Sequence, residues 1–359
     1  MLSYEFQGRV LDHSNNEPLP LATVYLNNTT IGTSTDLEGN FTLLFSGSYE
    51  ELIVSFVGYE VITHQIDKTQ LDKRYVFKLM PSQHMLNESF VKEQYSESWY
   101  KNVAFFTERF LGDTKASKHT KILNPESLYF NKNGSLLQAF AREPLIVENE
   151  YLGYRIHYLL ISFDYDSQDK LMLYLGFPRF ELLEGNKRKE RRWQRNRGSV
   201  YTGSMQHLFH MMCTDTTFGD FEVRYVREEK ELELDSVLLA EIDAPLDSMN
   251  ITPQPKSNDK REKYIVDKEP LLLVEGITAH EEGYLLDIEE IWQVRYKTGL
   301  PSVMYLLVDE TQLDKECRLI NPLDIRVEKY WSKVNVADML PIDYLTTEFL
   351  RLQEIQGGY

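Results

Sequence analysis

Cysteine is nearly absent from this 359-residue chain. Cys213 and Cys317 are the only two, which excludes a disulfide framework of the kind that holds small secreted scaffolds and excludes a C-x-x-C metal or redox motif. They leave the compartment open, because a large core needs no cross-link even in an oxidising space. Long apolar runs are missing as well: nothing approaches the roughly 18 residues that a membrane-spanning helix needs. The N-terminal "MLSYEFQGRV" enters a strand-like pattern at once, so the expectation is a chain with no transmembrane segment and no signal peptide. Positive charge is in deficit, with 39 Lys and Arg against 56 Asp and Glu for a formal charge of -17. That balance works against binding nucleic acid through phosphate neutralisation.

Catalytic signatures are lacking too. The chain holds no G-x-S-x-G elbow, H-E-x-x-H helix, G-x-x-x-x-G-K-[ST] loop or G-x-G-x-x-G turn, and "HEEGY" at 280 lacks a second histidine. Acid neighbours such as Glu289 and Glu290 arise by chance among 56 acidic residues and define no acid–base pair. No catalytic residue, cofactor or metal is expected.

What the chain has in abundance is aromatic and β-forming residues. Hydrophobic residues make up 42% and aromatics 12%, with 22 Tyr and 18 Phe, the balance of a folded, strand-rich protein and not of a disordered one. From Tyr4 to Leu79 short β segments follow one another: "YEFQGRV", "LATVYLN", "FTLLF", "ELIVSFV", "YEVITHQI" and "YVFKL". In the second, Ala22, Val24 and Leu26 alternate with Thr23 and Tyr25, the period of a half-buried strand. Turn clusters such as "HSNNEPLP" separate the segments, and the whole reads as a small β-sandwich. Between two of these runs, "TDLEGN" sets Asp36, Glu38 and Asn40 at alternate positions around Gly39, which invites comparison with half a calcium loop. Such a loop calls for more ligands, ending in a bidentate Glu, and the following "FTLLF" offers none. The reading is a hairpin turn, in which Gly39 takes a positive φ and Asp36 and Asn40 bond nearby backbone groups.

"GRVLD" at 8–12, "EPLPLATVYL" at 17–26, "IGTSTDLEGNFTL" at 31–43 and "LIVSFVGYE" at 52–60 together resemble the carboxypeptidase regulatory-like module. That module is a transthyretin-like (prealbumin-like) β-sandwich found at the N-terminus of TonB-dependent outer-membrane receptors of Bacteroidetes-type bacteria. The resemblance implies a non-catalytic sandwich over residues 1–82 in a protein of the cell envelope, periplasmic or associated with the outer membrane. The remaining residues are too few for the receptors' plug and 22-stranded barrel, whose strands alone would take roughly 220 residues. The chain is therefore not read as a transporter, and residues 83–95 read as a linker.

Residues 96–359 read as a larger, β-dominated α+β domain of unknown function, so the fold class expected of the whole chain is mainly β. Trp99, Val103, Phe106 and Phe110 recur at helical spacing. "SLYF", "SLLQAFA", "PLIVEN", "YRIHYLLISFDY" and "KLMLYLGFPRFELL" read as strands, the last two forming a hairpin around "DSQD". Two helical stretches follow, then strands from "FEVRYV" onward, including "YLLDIEEIWQVRY", "SVMYLLV" and "DIRVEKYW". The segment 244–263, poor in apolar residues and holding three prolines, reads as a flexible loop. "NPESLYF", "LIVENEYLGYRIHYLL", "RRWQRNRGSVYTGSMQHLF" and "DMLPIDYL" resemble an uncharacterised region that follows the same module in Bacteroidetes envelope proteins, a region that brings no chemistry with it.

The feature set apart by charge is "KRKERRWQRNR" at 187–197, whose seven basic residues and one acidic give +6, leaving -23 elsewhere. On a helical wheel Arg188, Arg191, Arg192 and Arg195 form one stripe and Trp193 lies nearly opposite. Trp193 is the expected structural anchor. The stripe is either a solvated or internally paired face, or a docking surface for an envelope protein partner, an outer-membrane protein or an anionic lipid surface; no interleaved aromatics accompany it, as they would for single-stranded nucleic acid. "HLFHMMC" places His207, His210 and Cys213 at three-residue steps. With Met205, Leu208, Phe209 and Met212 as the buried stripe, the histidines are expected on the opposite face, satisfied or solvated, with no metal. The function expected is a non-enzymatic binding protein of the bacterial envelope, accessory to an outer-membrane assembly or uptake complex; the alternative is an envelope hydrolase acting on glycan or peptide.

Overall fold

Alternation of apolar and polar residues builds the first part of the chain into two facing sheets. The structure, a computed structural model, describes residues 3–46, 51–71, 73–82, 95–168, 170–215, 217–228 and 264–348, and element counts refer to these. The strands are β1 (Ser3–Asp12), β2 (Thr23–Leu26), β3 (Gly32–Ser34), β4 (Asn40–Ser46), β5 (Glu51–Ser55), β6 (Ile62–Gln65) and β7 (Arg74–Leu79). One sheet runs β4-β1-β7 and the other β3-β2-β5-β6; β1 pairs antiparallel with β4 and parallel with β7. Along β4, Phe41, Leu43 and Phe45 are buried while Thr42, Leu44 and Ser46 are exposed, the two-residue period of a pleated strand. The inward set meets Phe6, Val10, Val24, Leu52, Val54 and Phe77 in one core, each such side chain contributing about 1.5–3 kcal/mol by its burial.

The "TDLEGN" segment is a tight turn between β3 and β4. Asp36 Oδ1 accepts from the backbone N–H groups of Glu38 (3.0 Å) and Asn40 (2.7 Å), and Oδ2 accepts from Asn40 Nδ2 at 3.3 Å. These bonds, first that from the Asn40 N–H, hold the Asp36 carboxyl below its ordinary pKa. Gly39 sits at φ +77, and a Cβ there would lie 2.5 Å from the Val10 carbonyl oxygen, so only glycine fits.

The next part is a helix on a sheet. Ser96 caps α1 (Glu97–Leu111) by accepting from the Trp99 N–H at 3.1 Å; Trp99, Phe106, Phe110 and Leu111 form its buried face. That face covers β8 (Thr120–Ile122), β9 (Leu128–Asn133), β10 (Leu136–Ala141), β11 (Leu145–Asn149), β12 (Tyr154–Asp166) and β13 (Leu171–Leu182). The long β12–β13 hairpin shifts register between Leu160 and Ser162. On its other edge β12 pairs first with β11 and then with β10. Phe106 meets Phe163 at 4.8 Å and Phe110 meets Tyr158 edge-on at 5.0 Å. Helices α2 (Lys187–Tyr201) and α3 (Met205–Thr214) follow.

Residues 1–210 and 330–359 group in one compact unit; the expected linker, 83–95, lies outside the described residues except for Tyr95. The turn after β2 binds the outer edge of β13: Asn28 N–H donates to Pro178 O (2.8 Å), Phe180 N–H to Thr29 O (2.8 Å) and the Tyr25 hydroxyl to Phe177 O (2.9 Å). Tyr25 and Ile53 point away from the sandwich core yet are 3% and 0% exposed. The other end of the chain returns to the same turn, where Ile342 N–H donates to Asn28 O at 2.7 Å and Thr30 Oγ1 to Asp343 Oδ2 at 2.7 Å.

The second unit, residues 211–329, contains β14 (Phe221–Glu228), β15 (Tyr264–Val266), β16 (Ile277–His280), β17 (Gly283–Leu286), β18 (Ile291–Tyr296), β19 (Ser302–Leu306), β20 (Thr311–Leu313) and β21 (Ile325–Lys329). They form sheets β15-β14-β18-β19-β21 and β16-β17-β20. Val223, Trp292, Val294, Val303 and Met304 are buried, and Phe218 meets the Trp292 ring edge-on at 5.6 Å. The sequence reading that the cysteines form no framework is corrected in one respect: Cys213 and Cys317 form a disulfide, Cα–Cα 6.4 Å, across 104 residues. Folding brings together two residues that no local motif links. The segment expected to be a flexible loop, 244–263, lies outside the described residues. Among the described residues no helix is long and apolar enough to cross a membrane.

Candidate interaction surface on the arginine-rich helix

Helix α2 starts where the Asn186 side chain accepts from the Lys189 N–H at 3.0 Å, and its Lys, Arg, Gln and Glu residues are good helix formers. One face is fastened to the turn between β11 and β12. Trp193, 5% exposed, donates its indole N–H to Glu150 O at 3.0 Å. Its ring fills the space over Gly153 and Gly185, where a Cβ would come within 2.2 and 2.6 Å of ring carbons. Asn196 Nδ2 donates to Tyr151 O (2.7 Å), and Arg197 donates to Leu152 O (2.8 Å) and Gly153 O (3.3 Å) while lying 3.9 Å from the Tyr154 ring centroid. The consecutive carbonyls 150–153 thus all accept from one helix face. Buried Asn149 holds the turn from beneath: Oδ1 accepts from the N–H groups of Tyr151 (3.1 Å) and Leu152 (2.9 Å), and Nδ2 donates to Ala337 O at 2.7 Å.

The opposite face carries Arg188, Arg191, Arg192 and Arg195, all exposed. Among the described residues none of the four forms an ion pair, and the Arg195 Nε bond to Arg191 O, at 3.4 Å, stays within the helix. Arg192 and Lys189 line a concavity of about 500 Å³ whose other walls include Glu148, Glu150, Glu181 and Glu184. Two of those carboxylates are committed to partners in a row that runs across the sheet. Arg155 lies opposite Glu148 on β11 and Glu181 on β13, its guanidinium 2.8 Å from Glu148 and 3.6 Å from Glu181. His157 Nε2 lies 2.9 Å from Glu181 Oε2. The Glu148 bond raises the Arg155 pKa; the His157 bond lowers that of Glu181. Burial lowers that of His157, against the pull of Glu181. This row is neutralised internally, whereas the helix cations are not.

Comparison with known proteins bears on the sandwich that packs against β13. Residues 6–91 match the CarboxypepD_reg-like domain family. The N-terminal sandwich is a CarboxypepD_reg-like domain. No curated protein matches the chain. Among solved structures, the chain is similar to a DUF3823 family protein from Parabacteroides merdae, at 11% identity over 53% of this chain and 85% of that one, TM-score 0.16. It is also similar to a DUF3823 family protein from Bacteroides ovatus, at 11% identity over 51% and 83%, TM-score 0.17.

Outside the CarboxypepD_reg-like domain, both histidines of α3 have hydrogen-bond partners. His210 is fully buried, and Tyr201 at the end of α2 supplies a hydroxyl 2.7 Å from its Nδ1. His207 is half-buried and accepts from the Gly203 N–H at 3.1 Å, and Cys213 is in the disulfide. Among the described residues no group of three His, Cys, Asp or Glu side chains could hold a metal.

Asn149, Asn196 and Arg197 were not singled out by sequence. For Arg197 a signal existed: it follows Trp193 by four positions, which puts it on the anchored face of the helix and apart from the other arginines.

Proposed function

We propose that this chain is a non-enzymatic binding protein of the bacterial envelope, whose arginine stripe docks onto an acidic protein surface. The observation that carries the reading is the contrast between the two faces of α2, one tied to four successive carbonyls and the other presenting four arginines without ion pairs among the described residues. A helix held this firmly presents its guanidinium groups with little ordering left to do, and their planar forks match carboxylates. The large hydrophobic residue of the run, Trp193, is buried, so no aromatic is left to enter a lipid layer as interfacial helices require. The Cys213–Cys317 disulfide favours an oxidising compartment outside the cytosol, and the CarboxypepD_reg-like domain resembles the module of outer-membrane receptors.

Replacing Arg188, Arg191, Arg192 and Arg195 together by Gln is expected to abolish capture of an envelope protein that the parent chain retains at low salt. Capture by the parent should weaken as salt rises. Thermal stability should change little, since exposed pairs contribute little and Gln keeps helix propensity. Trp193→Ala should instead lower stability by about 3–5 kcal/mol. A quadruple variant that melts as low as Trp193→Ala and still captures the same partner would overturn the proposal. The rival reading, a hydrolase using the concavity carboxylates, would show turnover on glycan or peptide substrates that a single carboxylate change removes.

A further inference from the structure

Across the β12–β13 hairpin Arg179 lies directly opposite His157, so both side chains emerge on the sheet face away from α1. Arg179 is half-buried. Among the described residues its guanidinium makes no hydrogen bond and no ion pair, although it feels the charge of Glu181. Its neighbours are already engaged: Glu181 takes His157 at 2.9 Å and Arg155 at 3.6 Å, and the Tyr25 hydroxyl donates to Phe177 O at 2.9 Å. The stem of Arg179 passes over Gly32 of the CarboxypepD_reg-like domain, where a Cβ would come 3.2 Å from Arg179 Cδ. A half-buried guanidinium whose stem is packed and whose donors are unspent within the protein still reaches solvent, and is placed to receive an anion with little ordering left to do.

We infer that Arg179, with His157 beside it, is the anchor of an oxyanion-binding site at the seam between the CarboxypepD_reg-like domain and the β12–β13 hairpin. The class of ligand is set by the donors: a planar fork takes two oxygens of a carboxylate or phosphate in parallel. Among the described residues Arg179 is the cation of this group left without an ion pair, since Arg155 lies with Glu148 and Glu181 and His157 with Glu181. The site is distinct from the arginine stripe and does not depend on it.

The test is an NMR titration of the full chain with inorganic phosphate and, separately, acetate, following the His157 ring signal assigned by its loss in His157→Gln. Saturable movement with at least one anion is expected, and which one identifies a phosphate or a carboxylate ligand. Arg179→Gln should raise the dissociation constant at least about tenfold, the loss of one charge-assisted bond pair, and should melt no lower than the parent. The quadruple stripe variant should titrate as the parent does. No movement with either anion, or equal movement in Arg179→Gln, would overturn the site. So would an Arg179→Gln chain that melts lower while its titration is unchanged, since Arg179 would then be a structural prop.

Discussion

At the scale of single residues, fit around the β11–β12 turn is the most exacting feature of the molecule. Gly153 combines φ +73 with a Trp193 ring that would lie 2.2 Å from any Cβ, so Gly153→Ala meets both backbone strain and a clash. A loss of about 2–4 kcal/mol is expected, measured as a lower denaturation midpoint; a chain of unchanged stability would mean the ring does not rest there. Asp338 offers a test through pH. Burial raises its pKa to about 6, against the downward pull of the Thr114 hydroxyl 2.6 Å away. A carboxyl with a raised folded-state pKa favours the protonated form. Its contribution is therefore complete below the unfolded value of about 4 and is lost as pH rises through about 6, at most about 3 kcal/mol. Asp338→Asn, which keeps an acceptor for Thr114, should melt higher than the parent near pH 7 and flatten the pH dependence between about 4 and 6. Equal melting of the two chains at neutral pH would refute the charge cost.

At the scale of elements, what the sequence disclosed follows from periodicity. The strands of the sandwich, the β12–β13 hairpin and α1 were legible because burial on one face writes a period of two or of about 3.6. The wheel likewise separated Arg188, Arg191, Arg192 and Arg195 from Trp193. What stayed hidden depends on register or on distant pairing. Nothing local links Arg197 to the carbonyls of 152 and 153, sets Arg179 opposite His157, or joins Cys213 to Cys317. That cross-link closes a span of 104 residues, for which chain entropy gives about 4–5 kcal/mol. Replacing both cysteines by Ser, or adding reductant, should lower the melting transition of the second unit. A melting curve indifferent to reductant would show that the bond is not formed.

For the molecule as a whole, the sandwich is legible as a module yet is not packed as a separate bead. Cut out as residues 1–82, it should fold without calcium, because Asp36 is engaged by its own turn, and chelator should leave its melting temperature unchanged. A fragment that folds only when calcium is added would contradict this. It should also be less stable and less soluble than in the full chain, since Tyr25 and Ile53 would meet water. The seam has a consequence for the order of folding as well. The 28–30 turn of the CarboxypepD_reg-like domain receives both β13 and the segment around Ile342 and Asp343, the latter 313 residues away along the chain. A domain that completes its own core before those partners pack is thus a template, on which two distant stretches of the chain find their places.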